Sequence, residues 1–243
     1  LTAVSLDRWS AAQAAELSYW RSLDLREILR ICAEKPEFLA LLDDGLQRDL
    51  FAGKEALEIG CGPLGLSLIS FSRHKGGLKR LVKAEPLPRL PIRETQLGED
   101  AWAAPFLAWV EQLAAEGEYI QTPGEELGFS EAFDTVVTYN VLDHVREPQT
   151  ILRNAHKALR PGGTLLVGVD CLSLVGRLRF EHITRRTHKG QILVEAHPHT
   201  FLPRDVAAMI ESAGFRVTAM HGLPGTLRGL AGSHTRPAFV ARK

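Results

Sequence analysis

The run Gly60-Cys61-Gly62-Pro63-Leu64-Gly65 sets three glycines where a backbone can turn sharply and approach a ligand closely. An apolar run, Ala56 to Ile59, precedes it, and an amphipathic stretch, Leu64 to Arg73, follows. That order predicts a strand, a tight turn and a helix whose first N–H groups face the ligand. Glu58, two positions before Gly60, argues against a pyrophosphate, because a carboxylate at the mouth of the turn repels a dianion. It suits a ligand carrying an ammonium group. Glu85 ends the next apolar run, Leu81 to Ala84, where a carboxylate can accept from both hydroxyls of a ribose. Turn and acids together describe a nucleoside joined to an amino-acid-like cation, without phosphate. Further along stands His197-Pro198-His199, a pair that invites a metal reading. No carboxylate or cysteine sits at a spacing that completes such a site, so no metal is expected.

These residues need a scaffold, and 243 residues suffice for one α/β domain with additions. A hydrophobic share of 45% and a charged share of 24% describe a globular chain and exclude disorder as its main state. Lys plus Arg and Asp plus Glu stand at 29 each, so no excess positive field exists for tight nonspecific nucleic-acid binding. Cys32, Cys61 and Cys171 are few, odd in number and widely spaced, which fits a reducing cytoplasm rather than a disulfide framework. The longest apolar stretch, Thr164 to Gly176, is too short to span a bilayer and is interrupted by Asp170. Leu1 to Trp9 contains no apolar signal core, so neither secretion nor a membrane partner is expected; the start at Leu rather than Met reads as a trimmed N-terminus.

Trp9, Leu17, Trp20, Leu25, Ile28 and Leu29 recur near helical spacing, and Pro36 is placed to open a further helix through Phe38, Leu41, Leu42 and Leu46. Residues 1–52 therefore read as an N-terminal helical extension or lid. Residues 53–243 then alternate apolar runs with amphipathic stretches. Tyr119–Gln121, Phe133–Tyr139 and Thr164–Val169 read as strands, and Ala101–Ala115 and Thr150–Leu159 as helices. Alternation of this kind predicts an α/β fold with a doubly wound, mostly parallel sheet. A helix over Pro203–Ala213 leads to apolar runs at Phe215–Met220 and Ala238–Val240, expected as an antiparallel hairpin at the sheet edge. Residues 171–201 fit no regular pattern. They carry Arg177, Arg179, Arg185, Arg186 and Lys189, a solvated flap or a set of partners for an anionic substrate group, and are expected to cover the substrate pocket.

Five ordered motifs from Lys54 to Val240 resemble the class I S-adenosylmethionine-dependent methyltransferases, in their small-molecule branch. They are Glu58-Ile59-Gly60-Cys61-Gly62, Glu85, the acidic loop Gly124-Glu125-Glu126-Leu127, the stretch Phe133 to Val145, and Leu159-Arg160-Pro161-Gly162-Gly163-Thr164-Leu165. Leu64 stands where many members have another glycine, and the segment Pro86 to Glu118 is longer than the usual connection. The resemblance implies a seven-stranded Rossmann-like sheet with an antiparallel last strand, S-adenosylmethionine as donor, S-adenosylhomocysteine as product, and a small-molecule methyl acceptor. It places the donor on Glu58, Gly60, Cys61, Gly62, Gly65, Glu85 and Pro86. Glu125, ahead of Glu126, is expected at the adenine, and Asn140 at the methionine moiety.

Methyl transfer from a sulfonium is an in-line displacement, so holding acceptor and methyl in near-attack geometry supplies most of the rate. A hydroxyl or carbon acceptor must also lose a proton. His144, four residues beyond Asn140, and His199 are the candidate bases, with His197 third. Two other classes make different demands on the sequence. A short-chain NAD(P) oxidoreductase needs Tyr and Lys four apart on one helical face, but Tyr19, Tyr119 and Tyr139 are followed at that spacing by Leu23, Pro123 and Asp143. A non-catalytic partner subunit with this fold has no need of intact acidic and glycine positions.

Overall fold

The computed structural model describes residues 3–92, 102–182, 186, 197–222 and 234–243. Strand β1 (Glu55–Ile59) pairs in parallel with both β2 (Arg80–Glu85) and β4 (Phe133–Tyr139), and β3 (Glu118–Gln121) extends the sheet beyond β2. On the other side β4 pairs in parallel with β5 (Leu159–Gly168). The last strand, β9 (Ala238–Arg242), runs antiparallel between β5 and β7 (Arg216–His221), giving the order β3-β2-β1-β4-β5-β9-β7. The expected seven-stranded sheet with its antiparallel last strand is therefore present, with β7 rather than the last strand at the edge. A two-stranded ribbon of β6 (Cys171–Leu172) and β8 (His234–Thr235), absent from the sequence reading, stands beside it.

Parallel strands covered on both faces tend to be apolar and buried throughout, as the Leu165-Leu166-Val167 run of β5 is. Glu58 and Lys83 break this tendency. They are partners in the β1–β2 register, and both are fully buried. Glu58 accepts from Ser67 Oγ and from the backbone N–H groups of Leu68 and Ile69, at 2.9 and 3.3 Å for the latter two. Lys83 Nζ donates to the carbonyls of Gly65 and Ala114 at 3.0 and 2.8 Å. The two side chains thus satisfy backbone groups that a helix would otherwise pair. This corrects the predicted Leu64–Arg73 helix: the segment is a buried, irregular turn with a short 3₁₀ stretch at Ile69–Phe71.

Three helices precede the sheet: α1 (Leu6–Ser22), α2 (Leu25–Leu39) and α3 (Asp44–Phe51), with Ser5, Asp24 and Asp43 as side-chain N-caps. Pro36 lies inside the last turns of α2 instead of opening a new helix. On the sheet lie α4 (Ala103–Ala115), α5 (Pro148–Ala158, with Pro148 in its first turn) and, ahead of β7, α7 (Pro203–Ser212); α6 (Leu174–His182) follows β6. Ile151, Leu152, Ala155 and Ala158 of α5 bury one stripe against β1, β4 and β5. Of the expected cover over 171–201, residues 183–185 and 187–196, with Arg185 and Lys189, lie outside the described residues. No helix among the described residues is long and apolar enough to cross a membrane.

Candidate active site

Strand order reverses between β1 and β4, and ligands of open α/β sheets gather at such a switch, beyond the carboxyl ends of the strands. A cavity of about 590 Å³ opens there. Its floor is Gly60, Cys61 and Gly62, with Gly60 and Gly62 at φ of 82° and 77°. A Cβ on Gly60 would lie 2.2 Å from Val141 Cγ2, so no other residue fits there without moving the loop after β4. Glu85 closes the floor from β2. Its Oε2 accepts from Gly62 N at 3.0 Å and its Oε1 from Leu87 N at 3.2 Å. Burial pushes this carboxyl up to about 7.

The lining also includes an apolar set, Ile59, Pro86, Leu87, Gly124 and Ile151. Glu125 joins the lining, although its Oε1 already accepts from the N–H groups of Arg146 and Glu147 ahead of α5. At the opposite end Asn140 stands at φ 58°, its backbone N–H donating to Gly168 O at 2.7 Å. Its buried Oδ1 has no hydrogen-bond partner among the described residues. Lys35 of α2 also enters this end. It is buried, its ammonium lies 5.1 Å from the centroid of the Tyr139 ring, and no hydrogen bond or ion pair meets it among the described residues. Burial drives its pKa down.

A second polar group faces these. His197 Nδ1 lies 2.7 Å from Asp143 Oδ2, and the His144 ring centroid lies 4.2 Å from that of His197. Burial pushes the Asp143 carboxyl up, but His144 and His197 outweigh it and hold the group at about 2. For His197, burial acts downward; the hydrogen bond and charge of Asp143 reverse this, leaving it above the usual imidazole range. Ionised Asp143 can only accept, so Nδ1 carries the shared proton and Nε2 is left as the basic nitrogen.

The family described as "Methyltransferase domain" matches residues 19–220. The chain belongs to that family. The resemblance to S-adenosylmethionine-dependent methyltransferases read from the five motifs is confirmed, and the protein is a methyltransferase of this class. Over 201 residues it is 29% identical to the ubiquinone biosynthesis O-methyltransferase of Xanthomonas euvesicatoria pv. vesicatoria, covering 78% of this chain and 75% of that one. Among solved structures, the 1,6-didemethyltoxoflavin-N1-methyltransferase of Burkholderia thailandensis superposes with a TM-score of 0.56 at 17% identity, covering 100% of this chain and 92% of that one. The [4+2]-cyclase SpnF superposes at 0.52 and 16% identity, covering 80% and 76%. Those two likenesses establish the fold and leave the chemistry to the site.

Within the methyltransferase site, Gly60, Cys61, Gly62, Glu85, Pro86, Glu125, Asn140 and His144 all line the cavity. Four expected residues do not. Glu58 is buried beneath the turn and committed to the 67–69 backbone, so it meets no ammonium. Gly65 points its carbonyl at Lys83, and its positive φ serves the bend of the chain. Glu126 is absent from the lining. His199 is buried with Nε2 2.9 Å from Val145 O, and burial lowers its pKa. His197, the third candidate, lines the cavity together with His144. The two histidines of the His-Pro-His run do not form one ligand group; Asp143 and His144, rather than His199, bring ligand atoms within 4.8 Å of one another and of His197. At 2.7 Å, however, the Asp143–His197 contact is a hydrogen bond, which places a proton between the two atoms.

Proposed function

We propose that this methyltransferase methylates a hydroxyl group of a small aromatic acceptor, with His197 as general base and Asp143 as the group that orients it. The observation that carries the reading is the 2.7 Å Asp143–His197 hydrogen bond on the wall of the donor cavity. A hydroxyl must lose its proton as it attacks, and a carboxylate-backed imidazole is suited to take it. The naming of the Xanthomonas relative as an O-methyltransferase supports the same class.

When bound, S-adenosylmethionine supplies an electrophilic methyl group and its own leaving group. The residues present fit it. The Gly60 to Gly62 floor admits a backbone-close ligand, the Glu85 carboxylate offers acceptors to two ribose hydroxyls, and the apolar lining of Ile59, Pro86, Leu87 and Ile151 suits a flat base. Asn140 Oδ1 is an acceptor in want of a donor, suited to the ammonium that Glu58 was expected to meet. Lys35 is the counterion for the carboxylate at the same end, a role the sequence reading left unassigned. A buried ammonium without a partner is costly, and a ligand carboxylate removes that cost.

His197 takes the acceptor's hydroxyl proton at Nε2 as the oxygen bonds to the methyl carbon and the carbon–sulfur bond breaks. Asp143 stabilises the imidazolium so formed. Trp9, Gln13 and Tyr19 of α1 also line the cavity, which supports residues 1–52 acting as a lid. Three unpaired, buried cysteines support a cytoplasmic setting.

The test is incubation with trideuteromethyl S-adenosylmethionine and a panel of catechol, simple phenols, primary amines and thiols, followed by mass spectrometry. Labelled catechol or phenol is the expected product. Label confined to amines or thiols would replace the reading.

A further inference from the structure

Helix α1 sends Glu16 into the cavity between the glycine floor and the two histidines. Trp20, one turn later, lies so close to that floor that a Cβ on Gly62 would stand 3.0 Å from two of its ring carbons. The indole Nε1–H donates to Glu16 Oε1 at 2.9 Å, while Glu16 Oε2 lies 3.6 Å from His144 Nδ1. His144 stands beside His197, and its Nε2 is 3.6 Å from Asp143 Oδ2. One carboxylate therefore meets, through its two oxygens, the ring over the donor floor and the imidazole next to the base.

We propose that Glu16 is a positioning residue that couples occupation of the donor site to the setting of the His144–His197 pair. The inference rests on the donor reading given above. A ring that stands this close to Gly62 is pressed by a ligand seated on Cys61 and Gly62, because packed interiors transmit displacement. Parting the half-buried indole N–H from Glu16 would give up its side-chain acceptor, at a cost in hydrogen bonding. The carboxylate is planar and rigid, so motion of Oε1 carries Oε2 with it, and Oε2 faces the imidazole of His144. Residues i and i+4 of a helix lie on one face, which keeps Glu16 and Trp20 together while α1 shifts as a body. Closure over the donor and alignment of the base then become one event.

Protein labelled with ¹⁵N-histidine and titrated to saturation with S-adenosylhomocysteine, read by NMR and paired with calorimetry, tests this without an acceptor. His144→Gln and His197→Gln assign the two imidazole signals. In wild-type protein both signals are expected to move on saturation. In Glu16→Gln, which keeps an acceptor for the indole but loses the charge facing His144, the movement should shrink by more than half. Trp20→Phe, which keeps a ring over Gly62 and loses the N–H, should show the same loss. Full movement in either variant, or none in wild type despite measurable heat of binding, overturns the coupling. No heat of binding in wild type overturns the donor reading and the coupling together.

Discussion

His197 Nδ1 stands 2.7 Å from Asp143 Oδ2 across 54 residues of chain, whereas His199, two positions further on, turns the opposite way and sets Nε2 2.9 Å from Val145 O. Two histidines of one His-Pro-His run thus have different partners, and the proposed mechanism gives a chemical duty to His197 alone. His197→Ala is expected to lower catechol methylation by roughly a hundredfold or more while leaving donor affinity nearly intact. His199→Ala should retain the pH profile of the reaction and instead cost about 1–3 kcal/mol of stability, because a buried carbonyl loses its partner. Urea unfolding and turnover of both variants check the pair; an inactive, stable His199→Ala would reverse the assignment.

The pH dependence has a definite sign. Asp143 raises His197 against the downward pull of burial, so the acid limb of kcat/KM should lie above the ordinary imidazole value of 6.5. Asp143→Asn removes both the charge and the fixed tautomer. It should move that limb to lower pH and lower the plateau together. A pH–rate profile that keeps its limb in Asp143→Asn would show that another group titrates.

Glu85 supplies a second dependence, of binding. Its carboxyl titrates at about 7 because it is buried, against an ordinary 4.5. Between those values the folded chain holds a proton that the unfolded chain has lost, so this group's contribution to stability falls as pH rises through the window. Affinity for S-adenosylhomocysteine should move the other way and rise from pH 6 to pH 8, since the ionised carboxylate is the stronger acceptor for ribose hydroxyls. Glu85→Gln should flatten that rise in calorimetry; a pH dependence that survives the substitution would place the ribose elsewhere.

Lys35 separates function from stability. With Lys35→Met, affinity for S-adenosylhomocysteine should drop by about tenfold or more, the loss of one charge-assisted contact. The melting temperature of the ligand-free protein should rise, because an unpaired buried ammonium has been exchanged for an apolar chain. Equal affinity would assign the carboxylate another partner, and a fall in melting temperature would mean that the ammonium is already compensated.

The strand, glycine turn and Glu85 were legible because they are local: an apolar run, three glycines and an acid at the end of the next strand. The reading of Glu58 as a ligand contact has the same local origin. Its spacing suggested a ligand contact, but its partners are backbone groups at Leu68 and Ile69, and once these are satisfied by a buried carboxylate no helix forms after the turn. The Asp143–His197 pair joins the loop after β4 to the segment before α7, and no periodicity announces such a meeting. Lys35 did leave a trace. It falls on the buried stripe of α2 with Ile28, Cys32 and Phe38, a charged residue at a core position of an otherwise apolar face. A buried lysine with no acid at helical spacing is a signal of an absent anionic partner.

A crystal structure of the protein with S-adenosylhomocysteine bound reads the whole arrangement at once. The ribose hydroxyls should lie on the Glu85 carboxylate, the amino-acid carboxylate on Lys35 Nζ, and the sulfur should face the space between Asn140 and His197. A ligand whose ribose sits away from Glu85, or whose sulfur is walled off from His197, would contradict the assignment of this cavity and of its base.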